Sequence, residues 1–156
     1  MRPTLSLAVF ALVIAPACTS APPPPPYQPV ADVKTLMASI VEPAADLYWD
    51  AVGTIIDAQG THEIEPKTIE EWDAVRNAAY VVAESGNLLL MPSRLKDAGE
   101  WVQLAQAMTN AAQKAIRAAE SRNKTAVFDT GAEVYDTCTN CHVKYSPDIL
   151  RPNTIQ

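Results

Sequence analysis

The chain has 156 residues with 18 acidic and 12 basic side chains, so it suits one domain, and its formal charge of −6 disfavours nucleic acid as a partner. A docking partner is expected to be basic or neutral. Glycine is scarce, with five in all, alanine is abundant, and β-branched residues do not alternate, which favours helix over sheet.

Residues 1–17 read as an export leader. Arg2 supplies the positive start, and Leu5 to Ile14 is an apolar run too short for a stable membrane span. Ala15-Pro16-Ala17 offers small residues before Cys18, and two outcomes fit. A general signal peptidase would leave Cys18 as a free N-terminal thiol. Alternatively, Ala15 to Cys18 resembles a bacterial lipoprotein box, in which Cys18 would carry a membrane-anchoring lipid on the periplasmic side. Residues 18–31 follow as a tether, where Pro22 to Pro26 form an extended polyproline rod of about 3.1 Å per residue. As a spacer it would hold a domain off the membrane.

The folded domain is expected over residues 32–146, with 147–156 as a tail. Asp32 is a plausible N-cap, and Val33, Leu36, Met37, Ile40 and Val41 fall at helical spacing. Leu47, Tyr48, Ala51, Val52 and Ile55 continue the stripe, and Gly60 and the polar residues around His62 end it. Pro43 interrupts this helix, because it lacks the N–H and clashes with the carbonyl of Ser39, so a kink is expected there. Thr68 and Glu71 form a capping box for a second helix from Ile69 to about Leu90, burying Ile69, Trp72, Val75, Ala79, Val82 and Leu89. Ser85-Gly86-Asn87 lowers its helix propensity, which a close approach to another helix or to a cofactor would justify. Asp97 with Glu100 starts a third helix, running from an alanine-rich stripe that begins at Trp101 to about Arg122. Asn123 caps a fourth, carrying Val127, Phe128, Val134 and Tyr135, and Tyr145-Ser146-Pro147 stops it. The fold class is therefore all-α, four antiparallel helices with short connections.

Near the end of the fourth helix stands Cys138-Thr139-Asn140-Cys141-His142, a C-x-x-C-H pattern. Residues three apart share a helix face, so both sulfurs can meet one porphyrin edge and add to its vinyl groups, while His142 ligates the iron. Three rival readings of the motif exist. Zinc needs four ligands where the motif supplies three. A thioredoxin-like pair belongs at the start of a helix after a strand, and this motif closes a helical pattern. A plain disulfide explains neither His142 nor the leader. One covalently attached haem c accounts for all of them.

A C-x-x-C-H at the C-terminal end of the last of four helices, followed by Tyr145, resembles the class II cytochromes c, the cytochrome c′ family, over roughly residues 32–146. The resemblance implies a four-helix bundle with Cys138 and Cys141 as thioether attachments and His142 as the proximal ligand. It also implies a first-helix residue on the far side of the haem, either a methionine ligand or an apolar residue beside an open site. The matching position here is Met37, and Pro43 and the tether depart from the family pattern. Met37 also lies on its helix's apolar face, where methionine is ordinary core filler. Met91 is a second candidate, Met108 a core residue, and His62 would come from the opposite pole. Trp49, Trp72 and Trp101 are expected as core anchors, and Lys144 as a partner of a haem propionate or a solvated lysine.

Methionine–histidine ligation would suit one-electron transfer to a redox partner protein. An open site would suit NO or CO binding, and a haem-dependent sensor or interaction module is the third reading. Neither a nucleophile with its base nor a distal histidine–arginine pair is evident, so an electron carrier is expected rather than an enzyme. The family often forms dimers through its first two helices, which leaves a homodimer as an open expectation.

Overall fold

The structure, a computed structural model, describes residues 26–150. The leader, Cys18 and Pro22 to Pro25 lie outside the described residues, as does the end of the tail from 151 onward. The chain is mostly helical, with four helices as expected and, in addition, a two-stranded sheet. The first helical run has three parts in unbroken helical backbone: α1 (Val33–Leu36), a π-helical turn (Met37–Val41) and α2 (Glu42–Trp49). Then come β1 (Gly53–Asp57), β2 (Gly60–Ile64), α3 (Ile69–Leu89), α4 (Glu100–Glu120) and α5 (Lys124–Tyr145). A 3₁₀ turn, Pro147–Leu150, closes the described chain.

Local chemistry sets most boundaries. The Asp32 carboxylate accepts from the Thr35 N–H at 2.7 Å, opening α1. Thr68 and Glu71 cap α3 reciprocally, and the Asn123 side chain accepts from Ala126 at 3.0 Å to start α5. Asp97 does not open α4 directly. Its carboxylate turns Asp97-Ala98-Gly99 back on itself, accepting from Gly99 at 2.8 Å and from Trp101 at 3.2 Å, so the helix begins at Glu100. At Pro43 the helix neither breaks nor restarts but widens by one residue.

The hairpin corrects the sequence reading. The first helix stops at Trp49, and Ile55 lies in β1, paired with His62. The β-branched run Thr54-Ile55-Ile56 has no helical neighbours to pack against. Asp57 accepts from Gln59 at 2.8 Å, and Gly60 sits at φ +127, a region open chiefly to glycine, so the chain reverses there. Other residues expected in the core are exposed: Leu47, Ile69, Phe128 and Tyr135. Ile69 is the first residue of α3, and Phe128 and Tyr135 face a groove beside α2.

Each packed helix pair runs antiparallel. Trp101 Nε1 at the start of α4 donates to the Leu89 carbonyl at the end of α3 at 2.9 Å, while Trp72 near the start of α3 and Ala119 at the end of α4 line one cleft. Lys144 pairs with Glu100 and Lys114 with Glu133, which sets α5 antiparallel to α4. Trp49 Nε1 donates to the Gly131 carbonyl at 3.0 Å, whereas the charge of Glu42 reaches His142, so α5 also runs antiparallel to the first helix. The α3–α4 seam is built from small side chains, including Ala79, Ala83, Ala105, Ala112 and Ala119, all buried. Small residues let two helices approach closely, and at Gly86 there is no room for a Cβ against Thr109 and the Ala105 carbonyl of α4.

Tyr48 ties three helices together. Its buried hydroxyl donates to the Ala115 carbonyl of α4 at 3.1 Å and lies 2.8 Å from Thr130 Oγ1 of α5. Burial pushes its pKa up to about 12. Tyr48→Phe is expected to lower stability by about 1 kcal/mol, since the net worth of such a bond is modest and the carbonyl stays buried. Urea denaturation followed by far-UV circular dichroism would measure it. A change within error would mean that the hydroxyl does not join the helices.

Candidate functional site

Cys138 and Cys141 lie in the last turns of α5, three residues apart on its core-facing side. Both are half-buried, packed against the core, and free rather than joined. Burial pushes both thiols above the ordinary cysteine pKa, and the neighbouring Cys138 raises Cys141 further. At neutral pH the two sulfurs are therefore protonated. His142 follows, half-buried on the flank nearest the first helix. Burial lowers its pKa and the charge of Glu42 opposes that, so the neutral imidazole is favoured. Its ring makes no hydrogen bond among the described residues, leaving a ring nitrogen lone pair unclaimed.

The end of α5 is held in place from behind. Tyr145 stacks edge-on against Trp101, ring centroids 4.9 Å apart, and its hydroxyl donates to Asp97, the residue that also folds the start of α4. Lys144 is paired with Glu100 rather than standing free. These contacts fix the last turn of α5 to the α4 N-terminus, so the motif sits on a supported helix end. Sequence reasoning noted Tyr145 and Asp97 separately and missed their pairing, because the residues are far apart in the chain.

The four methionines separate clearly, apart from Met1, which lies outside the described residues. Met37 opens the π-helical turn, half-buried against the core. Met108 is buried within α4. Met91 lies at the expected pole, but its sulfur is engaged, with Arg94 Nη1 donating to it at 2.9 Å. The same buried Arg94 holds the Leu88 carbonyl at 3.1 Å and the Ala31 carbonyl of the tether at 3.0 Å. Met91 is thus part of a structural clasp. His62 sits on the hairpin, 3.1 Å from Asp57, and β2 is pinned to the start of α5 by Glu63–Lys124 at 2.7 Å, remote from the motif. Of the tryptophans, only Trp101 is fully buried; Trp49 and Trp72 are half-buried.

An open groove of about 320 Å³ runs between α2 and α5, walled by Trp49, Val52, Phe128, Ala132 and Tyr135. Trp49 and Tyr135 meet edge-on at 5.7 Å within it, and Tyr135 stands one turn before Cys138. The groove is mostly apolar, and on α5 its lining ends at Asp136, before the motif begins.

The donor set can be tested against the groups weighed above. Among the described residues no group of three or more His, Cys, Asp or Glu side chains is placed to hold a metal ion. Zinc would require Cys138, Cys141 and His142 to converge on one point with a fourth ligand. A thioether-linked haem makes no such demand, because the thiols bond carbon and His142 alone reaches iron from this helix. Two protonated thiols on one face, beside an imidazole without a hydrogen bond among the described residues, fit that group. No known family, curated protein or solved structure matches the chain. The site itself must therefore carry the functional reading.

Proposed function

We propose that the chain is an exported c-type haem protein of the class II cytochrome kind, whose role is one-electron transfer. In this reading Cys138 and Cys141 hold the porphyrin as thioethers, His142 is the proximal iron ligand and Met37 the distal one. The four helices are then a bundle bearing haem near the end of the last helix. A lipid on Cys18 would anchor the protein at the periplasmic face of a membrane. The observation that carries the reading is the motif itself: two reduced, half-buried thiols on one face, followed by an imidazole that makes no hydrogen bond among the described residues, on a braced helix end.

When bound, the iron would supply a single electron by alternating between its ferrous and ferric states. The chain's own residues do the rest. A Met37 thioether as a second iron ligand beside His142 would raise the reduction potential and close the iron to small ligands. The Tyr145–Asp97 contact would hold the end of α5, and with it His142, in place.

The test is an optical spectrum of protein matured in a host that attaches haem, oxidised and reduced, with and without CO. Sharp reduced bands, a far-red sulfur-to-iron band when oxidised, and no response to CO are expected. Met37→Ala should abolish the far-red band and open the iron to CO. A broad spectrum that shifts with CO in the unaltered protein would instead establish a five-coordinate, gas-binding haem. A protein with no attached haem would end the proposal.

A further inference from the structure

We propose that Pro43 and the π-helical turn Met37–Val41 together form a positioning device, which sets Met37 at the edge of the core, on the flank that faces α5. The proposal rests on the haem reading above and extends it to a residue outside the ligand set.

The turn has a covalent cause. In an α-helix the N–H of residue 43 would bond the carbonyl of Ser39, but proline has no N–H and its ring collides with that carbonyl. The ladder here widens instead, and the Glu42 N–H donates to the Met37 carbonyl, five residues back. One extra residue is thereby accommodated between α1 and α2. Such turns are rare, and they are frequent at functional sites.

The extra residue decides which side chain faces inward. Successive residues on a helix differ by about 100°. Below the turn, Tyr48 is buried in the core and Trp49, one position on, meets Gly131 and Tyr135 of α5. Likewise Val41 is buried, and Glu42, one position on, lies where its charge acts on His142. Above the turn, Leu36 is buried at 1% exposure, and Met37 is the next position, half-buried. Leu36–Met37 therefore repeats the pattern of Val41–Glu42 and Tyr48–Trp49, with Met37 on the α5-facing flank. Without the widened turn the residue in line with Val41 would be four back, which is Met37 itself. The sulfur would then be core filler, and Leu36 would leave the core line. The antiparallel course of the two helices brings this start of the first helix to the level of the end of α5.

Pro43→Ala restores the missing donor and lets the run relax into a continuous α-helix. The cost of exchanging Leu36 for Met37 in the core is small, because the two are close in volume. In the haem-loaded variant the far-red sulfur-to-iron band should be lost and CO should bind, with haem still attached. Deleting Ser39 from the Pro43→Ala variant removes the extra residue, puts Leu36 four before Val41, and should bring the band back. A purely structural proline would not show this loss and rescue. Should Pro43→Ala fold poorly, the exchange Leu36→Met with Met37→Leu keeps the proline and the composition while moving the sulfur inward, and it too should lose the band. A band unchanged in Pro43→Ala, or retained in the exchange variant, overturns the proposal. Absence of the band from the unaltered protein refutes the Met37 reading instead, before any variant is made.

Discussion

Replacing both Cys138 and Cys141 by serine is expected to yield a folded chain that retains no haem after acid–acetone extraction. Each thioether forms when a thiol's S–H adds across a vinyl C=C, the sulfur bonding carbon and the hydrogen completing the neighbouring carbon. A serine hydroxyl has no comparable reactivity, so the double variant could hold haem only through His142 and the surrounding apolar faces. The single variants should keep one thioether each, with lower yield and a red-shifted reduced band, because one vinyl group stays conjugated to the ring. Mass spectrometry of denatured chains reads this directly as one haem mass per chain, present or absent. The same variants address the plain disulfide. Were the two sulfurs joined in the working protein, unaltered chains would carry no haem mass, and the serine pair would melt earlier by losing a cross-link. Haem on the unaltered chain and none on the double variant is the expected pattern.

The parts of the fold that were legible were those written in local chemistry. The capping box at Thr68 and Glu71, the Asn123 cap and the alanine stripe of the third helix each specify structure within one or two turns. The C-x-x-C-H motif was legible for the same reason, since its spacing alone places both sulfurs on one helix face. The hairpin is hard to see in the sequence because Ile55 also fits the end of the apolar stripe of the first helix. Ile55 matches the helical period by coincidence, while the better signal is the β-branched cluster Thr54-Ile55-Ile56 before the turn residues Asp57 and Gly60. The exposure of Phe128 and Tyr135 was not legible either. Helical spacing says that residues share a face, and which neighbour covers that face depends on α2, far away in sequence. Pro43 is legible as a disturbance of the helix, but its form, a π-helical turn that accommodates one extra residue and leaves both Leu36 and Val41 buried, is not.

Gly86→Ala is expected to destabilise the protein by about 3 kcal/mol, a large share of a domain's total stability. A Cβ at this position would lie 2.0 Å from Thr109 Oγ1 and 2.9 Å from the Ala105 carbonyl oxygen. The first clash is with a short β-branched side chain whose χ1 is restricted, and whose hydroxyl donates to the Ala83 and Ala105 carbonyls, each at 3.2 Å. The second is with backbone, which can yield only if α3 and α4 move apart. Their seam is made of alanines that have no reach to refill the gap, so separation would open voids along Ala83, Ala105 and Ala112. Overpacking of this kind costs about 1–3 kcal/mol or more, and the displaced Thr109 hydroxyl adds about 1 kcal/mol. Against this, alanine improves helix propensity over glycine by about 1 kcal/mol, which is too little to offset the clash. Thermal and urea denaturation would measure the loss. Adding Thr109→Ala should recover part of it, since that removes the 2.0 Å contact and leaves the backbone one. A Gly86→Ala protein as stable as the original would mean that α3 and α4 do not approach this closely, and the small-residue seam would need another explanation.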